Sequence, residues 1–142
     1  MVLFMDTNVL IDFLADRRPF SLSAGKLFTL ALNKKVKIFI SAISYNNIYY
    51  ILKQHTTHKE TIKLLTQLSE MTEAIGLHDK LLANALTSEF KDFEDAIQYY
   101  SALSNPRIDK IITRNTKDFK LSEIPVMTPD EVLSILLSDN SK

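Results

Sequence analysis

The sequence predicts an α/β fold in which helices flank a largely parallel sheet. Short apolar runs bounded by polar turns alternate along the chain with longer segments of helical period. The chain also has only 2 glycines and 4 prolines among 142 residues, which favours long regular elements joined by short loops. Such an alternation is typical of a parallel sheet with helices on its faces.

The apolar runs predict five strands, and the first of them stops abruptly at an acid, Asp6. The strands are expected at Val2–Met5, Val36–Ile40, about Glu73–Ile75, Lys110–Thr113 and Pro125–Met127. Segments of helical period predict helices at Asn8–Ala15, Leu22–Leu32, Ile43–Gln54, Lys59–Ser69, Asp79–Ser88, Phe93–Leu103 and Asp130–Leu137. The length predicts one domain, residues 1–138, followed by a frayed tail at residues 139–142.

The composition is that of an ordinary globular protein, with 46% hydrophobic and 24% charged residues. The absence of cysteine excludes disulfides, thiolate chemistry and cysteine-based zinc sites. Because no apolar run is long enough for a bilayer and no signal peptide is evident, we expect a cytoplasmic protein without a membrane partner. The net charge of +0 does not favour a nucleic-acid binder held by a global positive field, so such a partner would need local basic patches.

Polar side chains follow three of the predicted strands, where the binding sites of open α/β sheets collect. They are Asp6-Thr7-Asn8 after the first strand, Ser41 and then Asn46 and Asn47 after the second, and Thr113-Arg114-Asn115 with Asp118 after the fourth. Residues of these types bind metals or phosphates. Arg114 and Lys117 are candidates for phosphate contacts, because they follow a strand end where acids lie.

A second concentration of acids lies at the start of the predicted sixth helix. The apolar residues of this helix recur at helical spacing and predict its buried stripe, namely Phe93, Ala96, Ile97, Tyr100 and Leu103. Asp92 and Asp95 are three residues apart, so they share a face beside that stripe and could meet Asp6 at the end of the sheet. Mg²⁺ and Mn²⁺ prefer such oxygen ligands, and a bound cation would relieve the repulsion between the acids. Glu94 and Gln98 share a different face, which we expect to point toward water.

Each of these acids also has a structural interpretation. Asp92 is a good helix N-cap with Asp95 at the third helical position, and local sequence alone favours that account. Asp6 can equally cap the helix that follows it, and local sequence does not choose. Asp118 is expected to be a turn residue, and Asp12 to form a hydrogen bond within the first helix.

Other chemistries find little support in the chain. The three histidines, His55, His58 and His78, lack the spacing of a zinc-binding helix, and no glycine-rich phosphate loop is present. An enzyme that uses Asp6 as a phosphoryl nucleophile stays open as a rival. Enzymes of that kind often carry a second acid two residues on, where this chain has Asn8.

Four segments resemble those of the PIN domain and occur in the order of that family. They are MDTNVLIDFL, ISAISYNNIYYIL, DFEDAIQYYSAL and IDKIITRNTKDF. The resemblance is closest to the bacterial branch that includes VapC-type toxin ribonucleases, and it covers Met1 to about Leu137. It implies a three-layer α/β/α sandwich with a mostly parallel central sheet, and a ribonuclease that holds Mg²⁺ or Mn²⁺ at one end of that sheet. It also implies an RNA substrate, a small antitoxin protein that covers the site, and a homodimer, for which Tyr49 and Tyr50 are the expected surface.

The resemblance carries specific roles to individual residues. Asp6 matches the first acid of the family and Asp95 the third, while Asp92 has no fixed counterpart but is spaced to join them as a metal ligand. The fourth position falls at Asn115, with Asp118 as a nearby substitute in the catalytic set. The residues expected to support these acids are Thr7, Asn8, Asn47, Thr113 and Asn115.

One departure from the family concerns its second acid, usually a glutamate early in the helix after the second strand. This chain has Asn47 there, and an amide oxygen can coordinate a metal but contributes no charge. Since Asn115 is also neutral, the site keeps fewer carboxylates than the full set. The remaining acids, Asp6, Asp92, Asp95 and Asp118, still supply enough negative charge for one Mg²⁺. The expected function is therefore a metal-dependent endoribonuclease acting as the toxin of a toxin–antitoxin pair. A catalytically impaired PIN-like module that binds RNA or a protein without cleavage is the alternative.

Overall fold

The structure, a computed structural model, describes residues 1–140, with side chains for residues 1–138. Its strands are β1 (Val2–Met5), β2 (Lys37–Ser41), β3 (Glu73–Ile75), β4 (Lys110–Ile112) and β5 (Val126–Met127). They form one sheet in the order β3-β2-β1-β4-β5, and every pair of neighbouring strands is parallel. The predicted parallel sheet is confirmed, with β1 at its centre.

Seven helices flank this sheet in the described part of the chain. They are α1 (Thr7–Leu14), α2 (Phe20–Leu32), α3 (Ala42–Lys53), α4 (His58–Met71), α5 (Asp79–Leu86), α6 (Phe93–Leu103) and α7 (Pro129–Asn140). Each predicted strand and helix is present, and the boundaries differ by three residues at most. Residues 139 and 140, predicted to fray, continue α7, and residues 141 and 142 lie outside the described residues. Within residues 1–140, no helix combines the length and apolar character needed to cross a membrane.

Successive residues of the central strand point to opposite faces of the sheet, which gives the fold its layers. Leu3 and Met5 lie in an apolar cluster that includes residues of α1, α2, α3, α4 and α7. Phe4, between them, packs on the other face with Tyr99 and Ala102 of α6. Because both faces are covered, the strands are continuous apolar runs rather than alternating ones. The predicted three-layer α/β/α sandwich is confirmed.

The carboxyl ends of β1 and β4 lie side by side at one edge of the sheet. Met5 pairs with Ile112 in the parallel register, and the N–H of Asp6 donates to the carbonyl of Ile112 at 2.9 Å. Asp6 and Thr113 therefore leave the sheet as neighbours. At the end of β2, the hydroxyl of Ser101 in α6 donates to Ser41 Oγ at 3.1 Å, which holds α6 over the same edge.

A buried ion pair ties α1 to the segment after β4. Asp12 is 1% exposed, and its carboxylate accepts hydrogen bonds from Arg114 Nε at 2.5 Å and Nη2 at 3.2 Å. The guanidinium of Arg114 also lies over the ring of Phe20, 4.2 Å from its centroid. Asp12 was expected to bond within its own helix, but its partner is supplied by a segment about 100 residues away in the chain.

The Arg114→Met variant is expected to lower the free energy of unfolding by about 2 kcal/mol, because the Asp12 carboxylate would stay buried without its two charge-assisted hydrogen bonds. Urea denaturation measures this loss. The matched control is Arg18→Met, because Arg18 and Asp16 form an exposed pair at 3.6 Å, with side chains 69% and 67% exposed. That change is expected to cost less than about 0.5 kcal/mol. Equal losses of unfolding free energy in the two variants would contradict the stabilising role of the Arg114–Asp12 pair.

Candidate functional site

Asp6 is a buried carboxylate held between the sheet and α6. The residue is 2% exposed. Gln98 Nε2 donates to its Oδ1 at 2.8 Å, and Thr113 Oγ1 donates to its Oδ2 at 2.7 Å. Asp6 occupies the N-cap position of α1, but its side chain forms no capping hydrogen bond. The carboxylate therefore faces the site rather than the first turn of the helix.

Burial raises the pKa of the Asp6 carboxyl above its ordinary value. The hydrogen bonds from Thr113 and Gln98 act in the opposite direction, because they stabilise the ionised form, and the nearby negative charge of Asp118 raises the pKa further. The site thus contains a desolvated acid whose ionised form has two fixed donors and no cationic partner among the described residues. A bound cation would stabilise that form.

Gln98 was predicted to face water, and this prediction is wrong. The residue is 0% exposed. Its Oε1 accepts a hydrogen bond from the N–H of Thr7 at 3.0 Å, and its Nε2 contacts Glu94 Oε1 at 3.3 Å as well as Asp6. In contrast, Phe93 and Leu103, which belong to the predicted buried stripe, are 49% and 42% exposed. The helix is rotated so that this polar edge packs against the end of the sheet.

Glu94 is consequently a site residue that the sequence interpretation missed. It is half-buried, one helical turn before Gln98. Burial raises the pKa of the Glu94 carboxyl, and the negative charges of Asp6 and Asp92 raise it further. The side chains of Thr7 and Asn47 act in the opposite direction and lower this pKa. The spacing of four residues between Glu94 and Gln98 was the available signal, since any rotation of α6 that buries one brings the other to the same side.

Three predicted acids, Asp92, Asp95 and Asp118, surround the opening of the site. Asp92 is the N-cap of α6, with its Oδ1 accepting from the N–H of Asp95 at 3.0 Å, so the local structural interpretation is confirmed. Asp95 is half-buried, and burial together with the charges of Asp6, Asp92, Asp118 and Glu94 raises its pKa to about 7. Asp118 lies in a short 3₁₀ helix, Thr116–Phe119, and is exposed. Asp92 and Asp118 are thus close enough to Asp95 for their charges to contribute to its raised pKa.

An open cleft of about 630 Å³ brings these three acids together with basic side chains. Its lining residues are Glu89, Phe90, Lys91, Asp92, Asp95, Lys117, Asp118, Lys120 and Leu121. Lys117, a predicted phosphate contact, lies in this cleft. Arg114, the other predicted contact, does not, because its guanidinium is bound to Asp12. The neutral chain thus carries a local group of lysines beside its acids.

The predicted supporting residues differ in how directly they reach Asp6. Thr113 is bonded to it, and the hydroxyl of Thr113 also accepts from the N–H of Asn115 at 3.1 Å. Thr7 reaches it through Gln98 and forms a 2.7 Å hydrogen bond with Ser44 through its hydroxyl. Asn8 is exposed and forms no hydrogen bond with Asp6 in the described part of the chain. Asn47 has a buried Nδ2 atom that forms no hydrogen bond among the described residues.

The donors at this site fit a hard divalent cation. Among the side chains that the structure describes, no three histidine, aspartate or glutamate residues are spaced as a complete metal-ligand set. Mg²⁺, however, is commonly bound through one or two carboxylates with waters and phosphate oxygens in the other positions. Asp6 and Asp95 supply two carboxylates whose mutual repulsion a cation would relieve.

Comparisons with known proteins agree with this architecture. A family model described as the PIN domain matches residues 2–117. A ribonuclease, VapC1 from Aquifex aeolicus, is 26% identical over 133 residues, which cover 90% of each chain. A chain in a toxin–antitoxin complex from Klebsiella pneumoniae is 31% identical with a TM-score of 0.62, over 91% of this chain and 98% of that one. VapBC2 from Rickettsia felis, bound to a DNA fragment, shares the fold with a TM-score of 0.68 at 17% identity, over 90% of this chain and 98% of that one. The predicted resemblance is confirmed.

In the metal-free protein, Asp95→Asn is expected to raise the melting temperature more at pH 8 than at pH 5. The pKa of Asp95 is about 7 in the folded chain, against an ordinary value of 3.8. The folded chain therefore binds more protons than the unfolded chain between these values, and its stability falls as pH rises through them. Asparagine has no such titration. Thermal melting in EDTA at both pH values tests this, with the exposed Asp79→Asn as control. Equal stabilisation by Asp95→Asn at pH 5 and pH 8 would contradict the assignment.

Proposed function

Because the chain belongs to the PIN domain family, we propose that it is a metal-dependent endoribonuclease of the VapC type. The observation that carries the proposal is the buried carboxylate of Asp6, fixed by Gln98 and Thr113 beside Asp95. A desolvated acid with two fixed donors and acidic neighbours is suited to binding Mg²⁺ or Mn²⁺. The relation to the ribonuclease of Aquifex aeolicus supports RNA as the substrate.

In this proposal Asp6 and Asp95 are the primary metal ligands. Asp92 and Asp118 support them, directly or through water, since both lie in the same cleft as Asp95. A bound Mg²⁺ or Mn²⁺ supplies a Lewis acid and a water of lowered pKa for phosphodiester hydrolysis. Gln98 and Thr113 keep the two oxygens of Asp6 in a fixed orientation, so that no reorganisation is needed during the reaction.

The lysines of the cleft are the proposed contacts to the RNA backbone. Lys91, Lys117 and Lys120 line the same opening as the acids, so a phosphate that approaches the acids also meets positive charge. This local arrangement offsets the neutral net charge of the chain. Lys91 and Lys117 each directly precede an acid of the cleft, Asp92 and Asp118 respectively.

A small antitoxin protein is the proposed partner, because the Klebsiella pneumoniae relative at 31% identity is part of a toxin–antitoxin complex. We also propose a homodimer that involves Tyr50, which is 62% exposed on α3. Tyr49 beside it forms a 2.9 Å hydrogen bond with His58 Nδ1, so it is partly committed within the chain. The cytoplasm, where cellular RNA is available, is the proposed location.

A module that binds RNA or a protein without cleavage is a second candidate. The residues that favour it are Asn47 and Asn115, which place neutral amides at two positions where the family carries acids. This candidate shares the fold and the cleft with the nuclease. It differs in that catalysis would be absent even with metal bound.

The purified chain is expected to cut a mixed structured RNA in Mn²⁺ or Mg²⁺ and to leave it intact in EDTA. Asp6→Asn and Asp95→Asn are each expected to reduce the cleavage rate by about 100-fold or more, because each removes a charged metal ligand. Denaturing gel electrophoresis of time points measures the rates. Asp79→Asn is the matched control, since it makes the same change at an exposed position at the start of α5.

Cleavage that persists in both site variants would indicate a contaminating nuclease and would contradict the proposed site. Absence of cleavage on several RNAs in both metals would contradict the nuclease and favour the binding module. Retained RNA binding in a gel-shift assay would then identify RNA as the ligand of that module. Absence of both RNA cleavage and RNA binding would instead favour a binding module whose ligand is a protein.

A further inference from the structure

The side-chain amide of Asn47 is buried at the end of the sheet without a hydrogen-bond partner for its nitrogen, Nδ2, among the described residues. A buried amide hydrogen without a partner costs free energy, so such atoms in native structures call for a reason. Asn47 also stands where the PIN domain usually has a glutamate, so α3 contributes no negative charge here.

A carboxylate reaches the same place from the opposite helix. Glu94 in α6 is half-buried, and the side-chain amide of Asn47 lowers the pKa of its carboxyl, although no hydrogen bond joins the two side chains in the described part of the chain. The hydroxyl of Thr7 acts on Glu94 in the same way. Since Asn47 belongs to α3 and Glu94 to α6, this electrostatic influence acts between the two helices.

Glu94 is also linked to Asp6 through a single amide. Gln98 Nε2 lies 2.8 Å from Asp6 Oδ1 and 3.3 Å from Glu94 Oε1. Two carboxylates that accept from one NH₂ group are necessarily neighbours. Burial of one such acid beside another is unfavourable unless a cation or a proton compensates for the charge.

We propose that Glu94 supplies the carboxylate that Asn47 lacks, and that it binds the divalent cation together with Asp6. In this arrangement the carboxylate comes from α6 rather than from α3, and the negative charge at the end of the sheet is retained. This inference rests on the proposed function, because it adds a ligand to the same metal site. It explains how the site functions with a neutral residue at position 47.

A purely structural role for Glu94 predicts a different outcome. If Glu94 serves only to accept a hydrogen bond from Gln98, glutamine at position 94 provides an acceptor oxygen of the same reach. The Glu94→Gln variant would then keep the affinity for metal. If Glu94 is a ligand, the loss of its charge weakens the binding of a divalent cation directly.

The test is Mn²⁺ binding to the purified full chain, measured by titration calorimetry and by the electron paramagnetic resonance signal of free Mn²⁺. Glu94→Gln is expected to weaken the affinity at least about tenfold, in line with losses known for groups around metal sites. The double variant Asn47→Glu/Glu94→Gln, which returns the acid to α3, is expected to recover most of the affinity. Glu123→Gln, the same change at an exposed position, is expected to leave the affinity unchanged.

Unchanged Mn²⁺ affinity in Glu94→Gln would overturn this inference, and RNA cleavage by the wild-type chain would show that the proposed function still stands. A wild-type chain that neither binds Mn²⁺ nor cuts RNA would overturn both. If circular dichroism shows that Glu94→Gln is unfolded, Asn47→Glu alone provides the test. Its extra carboxylate beside Glu94 is expected to lower the melting temperature in EDTA and to enlarge the stabilisation by Mn²⁺. No change in either quantity would overturn the inference.

Discussion

The burial of one carboxylate, that of Asp6, is the constraint on which the arrangement of the site depends. An acid that is 2% exposed requires a donor for each oxygen, and the two donors come from different elements. Thr113 reaches one oxygen from the end of β4, and Gln98 reaches the other from α6. The parallel register of β1 and β4 and the rotation of α6 are therefore both linked to the same side chain.

Gln98 connects this carboxylate to the rest of the edge. Its carbonyl oxygen accepts from the backbone of Thr7, and its amide nitrogen serves both Asp6 and Glu94. Beyond it, Ser101 of α6 bonds to Ser41 at the end of β2. Helix α6 thus packs on the end of the sheet through a row of buried polar side chains that form hydrogen bonds with one another. This row of hydrogen bonds fixes one orientation of the helix, because any other rotation would leave its buried polar groups without hydrogen-bond partners.

The basic side chains near the end of the sheet fall into two groups, one that stabilises the fold and one that lines the cleft beside the acids. Arg114 is used in a bidentate pair with the buried Asp12 and stacks on Phe20, which suits the planar guanidinium. The cleft beside the acids contains lysines instead, whose flexible ammonium groups are compact point charges suited to a mobile phosphate backbone. The net charge of the chain reveals neither the Arg114–Asp12 pair nor the lysines of the cleft, because it sums over all charged residues.

The sequence by itself determined the layered architecture, the parallel sheet, and the strand ends and helix start that carry Asp6, Asp92, Asp95 and Asp118, since these follow from local periodicity. It could not determine which side of α6 faces the sheet. Spacing shows which residues share a face, but the partner of Gln98 lies 92 residues away and that of Arg114 lies 102 residues away. Only the tertiary structure brought Glu94 and Gln98 to Asp6 and paired Arg114 with Asp12, because the hydrogen bonds that decide these orientations form between elements distant in the chain.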